Sequence, residues 1–420
     1  MGQTMTEKIL SRHAERDTVA PGDIVVVTVD MAVPMDLNFY DGLWSEPKAV
    51  WDPDRVAIVF DHVVPPTNAQ AATALARGRR FAERVGISRL HDVGPEMGIC
   101  HQIIADVPYA RPGEILVCSD SHTCSGGVLN CAARGIGAPE LVFVLAKGYT
   151  WFKVGETVRY ELRGVLPPGV APKDVFLDVA GRYGEHAGQN VEFGGPGMAG
   201  LSIDRRRQLT TMCAEISAEF AIFEPDTILA DYLAARGVGM EGAVLPDADA
   251  AYAAVRTIDL DAVGPMVGLP DTLVENTSPI TAVTGTKINR AFVGSCANGT
   301  LDDLREAAEV LRGHRVSPDV TFLVTPGSQL VYERALREGV IETLMTAGAV
   351  VTSSSCGMCA GFQGALAAGD VCLTSSTRNF KGRMGSTEAS IYMASSATVA
   401  ASAIRGRITD ARELIGEAGA

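Results

Sequence analysis

Short apolar runs that stop at a polar loop and are followed by a helix-spaced stretch recur along this chain. That pattern restricts it to a small set of folds. DRVAIVF at 54–60 ends at Asp61-His62, then Pro65-Pro66, before a helical NAQAATALARGRRFAERV at 68–85. GEILVC at 113–118 runs into the glycine-rich loop SDSHTCSGG, and a helix is expected at 138–147. A strand from Arg290 to Val293 enters Gly-Ser-Cys-Ala-Asn-Gly and then the helix LDDLREAAEVLRG. DVTFLVT at 319–325 precedes a helical SQLVYERALREG, and GAVVTSSS leads into Cys356 before a final strand–helix passage. Alternating strands and helices of this kind build α/β domains with parallel sheets. In such sheets ligands bind beyond the carboxyl ends of the strands, where these polar loops fall.

The remaining segments carry less information. PGDIVVVTVD at 21–30 reads as a turn and a strand. Between about 160 and 260 a glycine-rich loop, EFGGPGMAGL, passes into a helix that carries Glu215. GLPDTLVENTSPITAVTG at 268–285 is rich in turn formers and reads as a linker. With 420 residues, 47% of them hydrophobic, the chain is expected to form two or three packed domains. No apolar run approaches the roughly 18 residues of a membrane span, and the charged N-terminus has no signal-peptide core. A cytoplasmic location is the expectation. The net charge of -14 argues against nucleic acid as a partner.

Nine cysteines in such a chain make a poor disulfide framework. Cys100, Cys118, Cys124, Cys131, Cys213 and Cys372 sit among apolar or small residues and read as buried small hydrophobes. Cys296 and the pair Cys356-Gly-Met-Cys359 differ, because they lie in strand-to-helix loops of one region. A bare Cys-x-x-Cys leaves redox, zinc and structural roles open. Three thiolates on a four-iron cubane leave one iron with an open position, able to act as a Lewis acid. Asp61-His62, His101 and Asp120-Ser121-His122 supply carboxylate–imidazole pairs suited to proton transfer near neutral pH. His13, His186 and His314 have no such context. Arg378 and Arg383, in STRNFKGRMG, read either as carboxylate clamps or as an exposed basic loop.

Taken in order, six segments resemble the aconitase superfamily. They are Phe60-Asp61-His62 with Pro65, Gly98-Ile99-Cys100-His101-Gln102, Ser119-Asp120-Ser121-His122-Thr123, Gly294-Ser295-Cys296-Ala297-Asn298-Gly299, Cys356-Gly357-Met358-Cys359, and Arg378-Asn379-Phe380-Lys381-Gly382-Arg383. The length resembles the free-standing large subunits of 3-isopropylmalate dehydratase and homoaconitase. The resemblance implies an α/β fold of three domains, with two intertwined in residues 1–280 and a third in 281–420. It implies a [4Fe–4S] cluster on Cys296, Cys356 and Cys359, with Glu215 near the open iron. It makes Asp61 and His62 the pair that protonates the departing hydroxyl, and His101 and Asp120 a second pair with His122 beside the cluster. Ser121, Arg378 and Arg383 are implied to bind a hydroxy di- or tricarboxylate. Isopropylmalate is the first candidate, with 2-methylmalate, 2,3-dimethylmalate and homocitrate as alternatives. The carbon-bound proton is implied to go to a serine on a swivelling domain that arrives on a separate small subunit. A non-catalytic binding protein on the same scaffold is the competing expectation. The chain departs from the family pattern at Thr211 and Thr377, where Asn is usual, and near Met35, where Gln or His is usual. It also lacks a Pro-His motif before the third domain.

Overall fold

The computed structural model describes residues 2–417, and its contacts divide the chain into two units. The first comprises Met1–Val93, Cys100–Arg163 and His186–Ile258; the second comprises Gly94–Ile99, Gly164–Glu185 and Asp259–Ala420. Among the described residues no helix is long and apolar enough to cross a membrane.

The strands expected in the first unit are short. Met31–Val33, Ile115–Cys118 and Ala132–Gly135 form one parallel sheet, and Ala57–Val59 with Arg89–His91 another. Parallel bridges from Ala32 to Val56 and from Met35 to Val59 join them edge to edge. Across the joined sheet the order is Arg89–His91, Ala57–Val59, Met31–Val33, Ile115–Cys118, Ala132–Gly135. The chain works outward from Met31–Val33 on one side, then returns to build on the other. The winding therefore reverses between Met31–Val33 and Ile115–Cys118, and a reversal of this kind opens a crevice at the carboxyl ends of the two strands. Apolar side chains fill the sheet and the helix Cys100–Asp106 beside it, among them Val33, Val59, Ile104, Leu116 and Leu129. The helix Ala69–Val85 starts where Asn68 accepts the Ala71 N–H and stops at Gly86, which adopts the left-handed conformation that glycine tolerates best. A helix over Met5–His13 was not anticipated. Its signal is the capping box formed by Thr4 and Glu7.

In the second unit seven strands form one sheet, in the order Thr277–Pro279, Met266–Gly268, Ser390–Met393, Val371–Thr374, Arg290–Val293, Thr321–Val324, Val350–Val351. The last five run parallel, and here too the winding reverses, between Arg290–Val293 and Val371–Thr374. The first two strands overturn the linker expected at 268–285. Met266–Gly268 and Thr277–Pro279 pair as an antiparallel hairpin on the sheet's edge. Strands of three residues are too short to show a period of two, and the turn formers between them dominate the local composition. The helices Leu301–Leu311, Val340–Ala347 and Ser396–Arg405 bury Leu304, Leu344 and Val399 in the core shared with this sheet.

Candidate active site

In the first unit the reversal of the sheet gathers the acid–base residues. Asp61 and His62 follow Ala57–Val59, Asp120 follows Ile115–Cys118, and His101 sits in the first turn of Cys100–Asp106. His62 Nδ1 lies 2.7 Å from Asp61 Oδ1, and His62 Nε2 lies 3.6 Å from Asp120 Oδ2. His101 Nε2 lies 2.7 Å from the other Asp120 oxygen. That oxygen also accepts the His122 N–H at 2.8 Å and has His122 Nδ1 at 3.4 Å. His122 Nε2 contacts Glu215 Oε1 at 2.7 Å. The residues expected to act as two pairs thus form one connected network centred on Asp120. Glu215 comes in from a short 3-10 turn, Cys213–Ile216.

Burial opposes every charge in this network, and the partners decide which charges survive. Burial pulls the His62 pKa down, but Asp61, Asp120 and Asp36 together hold it well above the ordinary histidine value. Burial pushes Asp120 up, yet the His101 charge and the hydrogen bonds from His101, His122 and His62 hold it well below the usual carboxylate range. For His122, too, burial is outweighed, by hydrogen bonds to Asp120 and Glu215, and its pKa is raised. Asp61 is raised by burial and by neighbouring Asp36, against the pull of His62. These partners favour the charged form of His62, with Nδ1 fixed by Asp61, which is the form of a histidine able to give up a proton. Two atoms point to chemistry not yet satisfied. His101 Nδ1 and Thr211 Oγ1 are buried and have no hydrogen-bond partner among the described residues. Thr211 is one of the positions at which the chain departs from the family pattern.

Sequence reading missed Asp36. It is fully buried, lies 3.6 Å from His62 Nδ1, and accepts three backbone N–H groups. It sits in MAVPMDLNF, whose pattern marks it in no way. Ser121, by contrast, is exposed at the start of the 3-10 stretch Ser121–Leu129. Two of the histidines without context, His13 and His186, have structural partners. His13 pairs with Asp30 at 2.7 Å, and His186 lies 2.8 Å from the Tyr160 hydroxyl. Cys100 and Cys118, read as buried hydrophobes, are buried with their sulfurs 3.7 Å apart.

In the second unit the three singled-out cysteines follow carboxyl ends of the parallel sheet. Cys296 follows Arg290–Val293, and Cys356 and Cys359 lie in the loop after Val350–Val351. Arg378 lies in the loop after Val371–Thr374, across the reversal from Cys296's strand. All three cysteines are at least nine-tenths buried. Among the described residues, two groups of side chains converge closely enough for a single ion: His101, Asp120 and His122, and Asp36, Asp61 and His62. Neither group includes the three cysteines. Next to them Ser295 Oγ, Ser354 Oγ and Asn298 Oδ1 are buried with no hydrogen-bond partner among the described residues. Arg383 Nη2 donates toward Cys359 Sγ at 3.7 Å, and Thr377 Oγ1 lies 3.8 Å from the same sulfur. Three soft donors, with unmatched hydroxyls and a guanidinium beside them, fit a sulfur-containing polynuclear group. Arg378 and Arg383 are part-buried rather than an exposed basic loop, and Arg383 touches a cysteine sulfur.

Residues 7–284 and 271–406 match the Aconitase family (aconitate hydratase). The chain is 51% identical to the 3-isopropylmalate dehydratase large subunit of Mycolicibacterium smegmatis, over 99% of each chain. It is 39% identical to the probable methanogen homoaconitase large subunit of Methanothermobacter thermautotrophicus, over 96% of each. The fold is similar to that of Thermococcus kodakaraensis aconitase X, with a TM-score of 0.53 and 13% identity over 87% of this chain and 88% of that one.

Proposed function

The chain belongs to the aconitase family, and on that premise we propose that it is the large subunit of a two-subunit hydro-lyase of the 3-isopropylmalate dehydratase type. It is an enzyme of the dehydratase class, and its substrate is a small hydroxy acid. The observation that carries the reading is the buried network in which Asp120 joins His62, His101 and His122. Dehydration must take one proton from carbon and give one to the departing hydroxyl. An imidazolium held by Asp61 is the group in this chain suited to the second task.

In this reading His62 gives its proton to the hydroxyl, which leaves as water. Asp61 keeps the ring oriented, and Asp120 stabilises the charge on His62 and His122 and contacts His101 Nε2. Glu215 fixes the ring of His122. Ser121, Arg378 and Arg383 hold substrate carboxylate. Members of the family use an iron–sulfur cluster. Here Cys296, Cys356 and Cys359 would hold a [4Fe–4S] cluster, supported by their burial and by the unmatched Ser295 and Ser354 hydroxyls. When bound, such a cluster supplies an iron with an open position that acts as a Lewis acid. The base that takes the carbon-bound proton would arrive on the small subunit, which the names of the relatives as large subunits support. The three-domain division, with residues 281–420 as the third domain, belongs to the same proposal, as does a cytoplasmic setting, which suits nine free thiols.

The test is anaerobic reconstitution of the chain with its cognate small subunit, then turnover of 3-isopropylmalate, 2-methylmalate, 2,3-dimethylmalate and homocitrate. Preference for 3-isopropylmalate supports the proposal. Preference for another of the four reassigns the substrate, and turnover of none by a cluster-loaded complex refutes the enzyme as proposed.

A further inference from the structure

The strand order puts Met31–Val33 between the two strands whose loops carry His62 and Asp120. Met31–Val33 leads into the 3-10 turn Asp36–Phe39, whose residues have no role in the reading above. The turn's side chains reach to both sides. On one side the Asp36 carboxylate accepts the backbone N–H groups of Asp61 at 3.2 Å, His62 at 3.1 Å and Val63 at 2.9 Å. On the other, Asn38 Oδ1 accepts the Ser119 hydroxyl at 2.6 Å, one residue before Asp120, while also accepting the Met35 N–H at 2.7 Å.

We propose that this turn is a clamp, with Asp36 and Asn38 as positioning residues that set His62 against Asp120. The consequence for turnover rests on the hydro-lyase reading; the geometry does not. A carboxylate accepting several N–H groups forms charge-assisted bonds and anchors a loop rigidly. A plain loop anchor needs only those bonds. Asp36 also lies 3.6 Å from His62 Nδ1, so two carboxylates, Asp36 and Asp61, flank one ring nitrogen. The ring cannot swing away without leaving buried charge unpaired. The titratable groups facing His62 are Asp61 on its own loop, Asp36 and Tyr40 from the turn and its end, and Asp120 from the Ile115–Cys118 side. Cys100 adjoins through its N–H to Asp61 at 2.8 Å. Removing the Asp36 charge takes away one of the groups that favour the imidazolium, so the His62 midpoint must fall.

Asp36→Asn and Asn38→Ala, made in the full chain, separate the two arms of the clamp. Histidine side-chain NMR over a pH titration reads the charge of His62, and kcat and KM with the small subunit read its placement. Asn at 36 can keep its one oxygen for the Asp61 and His62 N–H groups and gives up the bond from Val63. The His62 midpoint is expected to drop by about one unit or more, the usual effect of losing an opposite charge in contact. For Asn38→Ala, kcat is expected to fall on the order of 100-fold with little change in KM, as misplacement by about 1 Å does. A His62 titration unchanged in folded Asp36→Asn overturns the clamp. If Asp36→Asn does not fold, Asn38→Ala decides, and wild-type histidine spectra in that variant overturn it. If the wild-type complex turns over no hydroxy acid, the hydro-lyase reading fails, while the His62 titration still judges the clamp.

Discussion

Replacing His62 by Gln isolates the proton-delivery role. Glutamine nearly preserves volume and can still donate to Asp61, but it cannot carry a transferable proton. His62 loses a charge-assisted contact of 2.7 Å in a site where its side chain is 9% exposed. Contacts of that kind stabilise by about 1.5–3 kcal/mol. The stability effect has a definite pH dependence. The folded pKa of His62 is raised, so its contribution is fully present below the unfolded value near 6.5 and is lost as pH rises through the folded value. The Gln variant should therefore lose stability most at acidic to neutral pH and converge on the wild type in alkali. Loss of a general acid typically costs about 100- to 10,000-fold in rate, or roughly 3–5 kcal/mol of barrier. The ion-pair and hydrogen-bond partners of His62 are Asp61, Asp36 and Asp120, all in the first unit, so iron content should be unchanged. The assay pairs iron and sulfide analysis with turnover of 3-isopropylmalate by the reconstituted complex, and urea unfolding at several pH values gives the stability arm. Wild-type turnover in the variant would refute the proton-delivery role. Loss of the cluster would make His62 a structural residue instead.

The same geometry fixes other outcomes. Cys359→Ser should lower both iron content and activity after anaerobic reconstitution, and full iron loading in that variant would contradict the three-cysteine set. The purified chain without a small subunit should turn over hydroxy acids far more slowly than the complex, and equal rates would remove the need for a second subunit. Burial, against hydrogen bonds from Met266 and Ala171, pushes the Asp174 pKa up to about 7. Its folded value is raised, so its contribution is present below the unfolded value of 3.8 and is lost as pH rises through about 7. Asp174→Asn should flatten the fall in stability over that range, an effect of up to roughly 4 kcal/mol. A variant whose unfolding free energy keeps the wild-type slope there would show that Asp174 stays ionised when folded.

Much of the site is legible in the chain because parallel α/β sheets put their chemistry at strand ends, and strand ends are local features. DRVAIVF stopping at Asp61-His62, GEILVC stopping before Asp120, and RAFV stopping before Cys296 are each visible within ten residues. The Cys-x-x-Cys spacing is equally local. Where the fold departs from expectation, local signals are weak. The Met266–Gly268 and Thr277–Pro279 strands are too short for periodicity to register, so the turn residues between them suggested a linker.

By itself, then, the sequence determined the alternation of strands and helices, the identities of the acid, base and thiol groups, and their place in loops after strands. Only the tertiary structure decided which of those groups meet. Asp120 joins His62, from a distant part of the chain, because the strand order reverses at Met31–Val33, and strand order depends on how whole faces are buried. Glu215 reaches His122 across 93 residues by the same kind of long-range packing. Asp36 looks like any aspartate in a short turn, and it acquires meaning only because the strand before it lies between the two loops that must be held together. Hydrophobic periodicity records which way a residue faces within its own element. It carries no record of which element comes to lie beside it.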